Sequence, residues 1–184
     1  MSETWQIDPA HTSVQFAVKH MMFTTVRGRF KDVKGTIQVD EQNPANSSVS
    51  VEIAAASIDT GVADRDTHLK SADFLDVEKY PTLTFRSKRI EGALAKEGDT
   101  FRAVGDLTIH GTTKEVTLDC VYGGRGKDPW GGERAGAEAK TKIDRREWGL
   151  EWNQALEAGG LLIGHEVRIE LEVQAVKAVP APVG

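Results

Sequence analysis

Thr100–Tyr122 reads TFRAVGDLTIHGTTKEVTLDCVY, two alternating runs around a glycine turn. Phe101, Ala103, Gly105, Leu107 and Ile109 fall on one side, against Arg102, Asp106, Thr108 and His110. Alternation sustained over this length marks a strand buried on one face. Beyond His110-Gly111-Thr112-Thr113 the pattern resumes with Val116, Leu118, Cys120 and Tyr122. Two such runs joined by so short a turn predict a β-hairpin.

Upstream and downstream the same period recurs. Val14, Phe16 and Val18 alternate with Gln15, Ala17 and Lys19 in Thr12–His20. Met21, Met22 and Phe23 then form an apolar corner. In Arg27–Asp40, Val33, Gly35, Ile37 and Val39 share a face and Phe30 lies on the opposite phase. A bulge near Lys31 and Asp32 restores the phase and bends the strand. Val49, Val51, Ile53 and Ala55 face together in Ser48–Ser57. Leu83 and Phe85 do so in Thr82–Glu91. Ala135, Ala137, Ala139, Thr141 and Ile143 alternate with polar residues in Arg134–Asp144. The last run, Gly164–Val176, sets Val167, Ile169, Leu171 and Val173 against Arg168, Glu170, Glu172 and Gln174. Gly92–Gly98 and the glycine-rich Gly123–Gly132 read as loops, Arg145–Gly160 as irregular, and 177–184 as a loose tail.

One stretch breaks the period. Asp59–Pro81 reads DTGVADRDTHLKSADFLDVEKYP, with Val62, Leu69 and Ala72 at helical spacing. Thr60 or Asp64 can cap its start, Ser71 a second short turn, and Pro81 ends it. The expectation is a helix between Val62 and Phe74 that covers one end of the fold, as a plug or as a lid.

The fold class is therefore all-β: an extended eight-stranded antiparallel barrel with one helical insert, occupying 1–184 as a single domain with a core at about 5–176. Closure pairs Thr12–His20 with the last strand and removes both exposed edges. Eight strands enclose either packed side chains or one small ligand. Ala55, Ala103, Gly105, Ala135, Ala137 and Ala139 are small for inward positions and leave volume. The expected lining is Phe16 and Val18; Val51, Ile53 and Ala55; Phe85; Phe101, Ala103, Leu107 and Ile109; Val116 and Leu118. The remaining walls give Ala135, Ala137 and Ala139, then Ile169 and Leu171. The insert adds Leu69, Phe74 and Leu75, and the irregular segment adds Trp152. A cavity so lined suits an apolar ligand.

Composition narrows the function. A net charge of −5 lacks the basic face that nucleic-acid binding needs. No run approaches a membrane span. The opening MSETWQID has no secretory character, and Cys120 as the single cysteine fits a reducing cytoplasm. His11, His20, His68, His110 and His165 show no metal-ligand spacing, so no metal or other cofactor is expected. There is no nucleophile elbow and no phosphate-cradling glycine loop. The reading is a binder with no catalytic residues; the alternative is an enzyme of unknown reaction acting on a small apolar substrate in the cavity.

Five segments point further. IDPAHTSVQFAVKHMMFTTVRGRF (7–30), DRDTHLKSADFLD (64–76), YPTLTF (80–85), DLTIHGTTKEVTLD (106–119) and WNQALEAGGLLIGHEVRIELE (152–172) occur in this order. Together, from Trp5 to about Ala175, they resemble the YceI-like family. The resemblance implies an extended lipocalin-like barrel with an inner tunnel that binds polyisoprenoid chains, such as quinone or prenyl-phosphate tails. It implies no catalytic residues, is compatible with a homodimer, and points to the cytoplasmic branch of the family. The polar head of such a lipid would sit at a mouth, with transient membrane contact there; His20, Arg27 and Arg65 are the candidates by position.

Overall fold

The structure, a computed structural model, describes residues 2–179. Its strands are β1 (Glu3–Ile7), β2 (Ser13–His20), β3 (Thr24–Phe30), β4 (Val33–Val39), β5 (Ser48–Ala54) and β6 (Ile58–Asp59). After helix α1 (Ala63–Lys70) come β7 (Thr82–Gly92), β8 (Thr100–Ile109), β9 (Thr112–Lys127), β10 (Glu133–Asp144) and β11 (Ile163–Lys177). The Thr100–Tyr122 hairpin forms in the expected place. Ile109 faces Thr112, and the two residues between, His110 and Gly111, both have left-handed φ of 53° and 73°. Such a turn matches the twist of the flanking strands.

Pairing is antiparallel throughout and the wall closes. β4, β5, β7, β8, β9, β10 and β11 are neighbours in that order, and β1 bridges β11 to β4. In the other half of the wall β11 pairs with β2, and β2 with β3. β1 with β2, and β3 with β4, are thus two staves each interrupted midway, and eight staves make the barrel. Asp8–Thr12 interrupts the first; the Asp8 carboxylate accepts from Ala10 N, and Pro9 opens the short turn.

Several expectations need correction. The run Arg27–Asp40 is not one bulged strand but two strands, separated at Lys31–Asp32. The chain there is held by the end of β5 and the turn after it: Lys31 N donates to Ser57 O at 3.2 Å, and Ala54 N to Asp32 O at 3.0 Å. The helix is shorter than Val62–Phe74, and a bend and turn replace its last four residues. Val62 is its N-cap and makes no side-chain cap bond. Instead Asp66 reaches back, accepting from Thr60 N at 2.8 Å and Thr60 Oγ1 at 2.6 Å. Ser71 does open a second turn, accepting from Phe74 N at 3.0 Å. Val62 and Ala72 are exposed, so the helical spacing is not a core stripe. The first half of Gly123–Gly132 is strand, since β9 runs to Lys127 opposite Glu133. The final strand also outruns expectation: Lys177 faces Trp5, and Ala178 N donates to Thr4 O at 2.8 Å. Of the tail, 180–184 lies outside the described residues.

Two apolar clusters ring the lumen. One includes Ile7, Val14, Val33, Ile90, Leu94 and Cys120; the other, toward α1, holds Ile58, Leu75, Leu83, Ile109, Ile143 and Trp148. Trp148 is 1% exposed and donates from Nε1 to Leu107 O at 2.9 Å, which pins the irregular segment to the wall. Gly105 serves packing and not the cavity: a Cβ there would lie 2.4 Å from Arg86 O and 2.8 Å from Phe85 Cζ.

Candidate ligand cavity

The inward residues of the staves leave a cavity of about 470 Å³. This is the size range of sites that hold one small molecule. Phe16 and Val18 of β2, Val51 and Ile53 of β5, and Phe85 of β7 line it. So do Phe101, Ala103, Leu107 and Ile109 of β8, and Val116 and Leu118 of β9. The alanine wall of β10, Ala135, Ala137 and Ala139, faces in beside Ile169 and Leu171 of β11. Alternation explains this: Glu138 and Lys140 point outward, because burying either unpaired would be costly. Leu69, Phe74, Leu75 and Trp152 close one end.

Two placements differ from expectation. Ala55 is buried but does not line the cavity, because Ala55–Ser57 is a short helical turn that takes it behind the wall. Arg27 lies on the outer face of β3, along a shallow groove with Gln15, His165 and Arg168. His20 and Arg65 do border the cavity.

Among the bordering residues that were not read as such from the sequence, four stand out. Leu94, from what read as a loop, is buried against it. Tyr122 and Trp5 line the end opposite α1, where the Arg125 guanidinium sits over the Trp5 ring at 5.0 Å. Arg125 there joins Glu3, Glu41 and Glu133, and Lys177 joins Glu3. Trp5 Nε1 is buried without a partner among the described residues. Arg145 is the fourth, and one signal was available: it continues the inward phase of Thr141 and Ile143.

The end carrying α1 is the mouth. His68 lines it, with Asp73 accepting from its Nε2 at 2.9 Å. Beside the mouth, the β2–β3 turn presents Met21, Met22 and Phe23, which are 40%, 66% and 82% exposed. Met21 and Met22 both adopt left-handed φ, 51° and 63°. Non-glycine residues enter that region at a cost and are held there by their surroundings. Cys120 lies in the lumen wall, and burial pushes its thiol up to about 11, which leaves it unreactive. No cluster of three or more metal-ligating side chains occurs among the described residues.

A closed antiparallel barrel with an apolar lumen and a helical cover is a lipocalin-like architecture. The model of the YceI-like domain matches residues 5–175, and the chain belongs to that family. Protein YceI of Escherichia coli O157:H7 is 45% identical over 141 residues, 77% of this chain and 72% of that protein. The Campylobacter jejuni YceI crystal structure superposes with a TM-score of 0.71 at 30% identity, covering 88% of this chain and 90% of that one. A polyisoprenoid binding domain from Saccharophagus degradans, implicated in plant cell wall breakdown, has the same fold. Its TM-score is 0.67 at 15% identity, with 95% and 98% of the two chains covered.

Proposed function

We propose that the protein binds, stores or carries an amphiphilic long-chain lipid in the barrel, a polyisoprenoid of quinone or prenyl-phosphate type. The observation that carries this reading is an apolar cavity enclosed by the wall and covered by α1 at one end. Family membership supports it, as does a similar fold in a polyisoprenoid binding domain. The expected lining residues other than Ala55 hold the tail; His20 and Arg65 stand near the head.

Each buried methylene contributes about 0.8 kcal/mol relative to water. The lipid's usual source is a bilayer, which is also apolar, so the net gain on transfer is much smaller. Such a protein competes with membranes and exchanges its cargo with them. The exposed Met21–Phe23 turn is suited to touch the bilayer during exchange. Homodimer formation and residence in the cytoplasm are part of the proposal; light scattering and cell fractionation test them.

The deciding experiment is mass spectrometry of an organic extract of purified protein. A prenyl or other long-chain species at near-stoichiometric amount is expected. Empty extracts from a quinone-rich host, or a hydrolytic activity abolished by His68→Ala, would favour an enzyme.

A further inference from the structure

Arg145 is 4% exposed and borders the cavity. Of its five N–H donors, four reach main-chain carbonyls. Nε donates to Gly164 O at 2.9 Å, Nη1 to Leu150 O at 2.6 Å and Trp152 O at 3.1 Å, and Nη2 to Ile163 O at 3.4 Å. No carboxylate lies within ion-pair distance of it among the described residues. The adjacent Asp144 is taken by Arg146, whose Nη2 donates to it at 2.6 Å. Burial pulls the Arg145 guanidinium down from its ordinary value. Buried charges in proteins are as a rule paired. This one has only carbonyl dipoles.

Arg65 repeats the pattern. Nε donates to Thr60 Oγ1 at 2.7 Å and Nη2 to Thr60 O at 2.8 Å, again with no carboxylate partner among the described residues. Of the nearby acids, Asp66 is engaged by Thr60 and Asp73 by His68, while the adjacent Asp64 is exposed. Both arginines belong to the mouth. Arg65 shares α1 with His68, His68 packs on Trp152, and the Trp152 carbonyl accepts from Arg145. The cavity's charged lining is thus segregated. Lys19, His20, Arg65, His68 and Arg145 gather at this end, and Glu41, the one acidic lining residue described, lies at the other. This occurs in a chain whose net charge is −5.

We propose that Arg145 and Arg65 form a seat for the anionic head, phosphate or carboxylate, of a long-chain amphiphile whose tail runs toward the Glu41 end. The proposal rests on the lipid-binding reading and adds the charge of the head. An anion there completes the pairing that the folded chain leaves open, by charge-assisted hydrogen bonds.

The test titrates delipidated protein at low salt with hexadecyl phosphate, hexadecanoate and hexadecanol, followed by tryptophan fluorescence. At least one anion is expected to bind about tenfold tighter than the alcohol, a margin one charge-assisted bond supplies. The tighter anion tells whether the natural head is a phosphate or a carboxylate. Arg65→Gln should weaken the preferred anion several-fold more than hexadecanol and so remove most of that preference. Arg145 holds four carbonyls, so it is read without mutation: in protein carrying nitrogen-labelled arginine, its side-chain resonances should shift with the preferred anion and not with the alcohol. Equal affinity for all three ligands overturns the seat while the lipid reading stands. Binding of none overturns both. Arg145 resonances that respond alike to anion and alcohol, or to neither, overturn its part.

Discussion

His68 and Trp152 meet edge to face, their ring centroids 4.6 Å apart and their planes at 86°. Phe74 packs on both, 5.0 Å from His68 and 5.4 Å from Trp152. α1 and the turns that follow it are thereby joined over the mouth to the segment before β11, which is far away in the chain. Pairs of this kind contribute about 0.5–1.5 kcal/mol each beyond their buried area. Contacts of that size would let a cover stay closed and still open, which variants of α1 test.

Leu69 is the apolar side chain of α1 that reaches from this cover into the cavity. It is only half-buried. Leu69→Asp should therefore speed ligand loss more than it lowers the melting temperature. Ligand release and thermal unfolding, measured on the same samples, separate the two effects. If they shift together in every variant of α1, the helix is a fixed plug.

Ala137 stands opposite Val173 and Tyr122, in the middle of the small-residue wall. In a filled interior, Ala137→Phe would overpack and cost about 1–3 kcal/mol. Facing open volume, the ring has room. The variant should unfold near the wild-type denaturant midpoint and emerge from purification without lipid. A stable variant still loaded with ligand would show that the chain runs along another wall.

Phe23 contributes little to the fold, being almost wholly exposed. Phe23→Ser should leave the melting temperature nearly unchanged, as surface substitutions usually do to within about 0.5 kcal/mol. Transfer of a fluorescent long-chain probe from protein to vesicles should slow several-fold. An unchanged transfer rate removes the Met21–Phe23 turn from the exchange step.

Asp8 ties the interruption in the first stave to β10: its carboxylate accepts from His11 Nδ1 at 2.8 Å and from Arg134 Nη1 at 2.7 Å. His11 first, then Arg134, hold its carboxyl down from 3.8 to about 2. The folded state thus takes up this proton less readily than the unfolded chain. Its contribution to stability is complete above 3.8 and disappears as the pH falls toward 2. Acid unfolding curves of Asp8→Asn should lose that part of the pH dependence while keeping the rest. Identical acid profiles for the two proteins would refute the linkage.

Much of the barrel could be read from alternation alone, since one face of each strand meets apolar side chains and the other meets water. Ala137 and Leu171 were placed on the lumen by parity, and the structure puts them there. Parity fails where the backbone leaves the extended state. Ala55 kept its phase in the sequence but sits in a helical turn. Phe30 seemed out of phase until the break at Lys31–Asp32 restored it to the lumen. Arg27 is a candidate by position only, and its parity opposes that of Val26, which does face in. Arg145 shows the reverse: its parity continues that of Thr141 and Ile143, but a charged residue just past the strand reads as solvent-facing. Tertiary carbonyls turn it inward, and a single sequence does not display them.

Thr4 and Ala178 share a hydrogen bond, so the two ends of the wall meet in the finished fold. Trp5 and Lys177, Gln6 and Val176, and Ile7 and Ala175 are partners across that join. Pairs so distant in the chain carry the largest loop-closure entropy and form slowly. The neighbouring hairpins, led by Thr100–Tyr122, need no such search. Folding should then proceed as a curling meander whose last event is this seam. Until it zips, the lumen is an open trough, and a chain that reaches the protein at that stage can be laid in from the side, with no need to be threaded past α1.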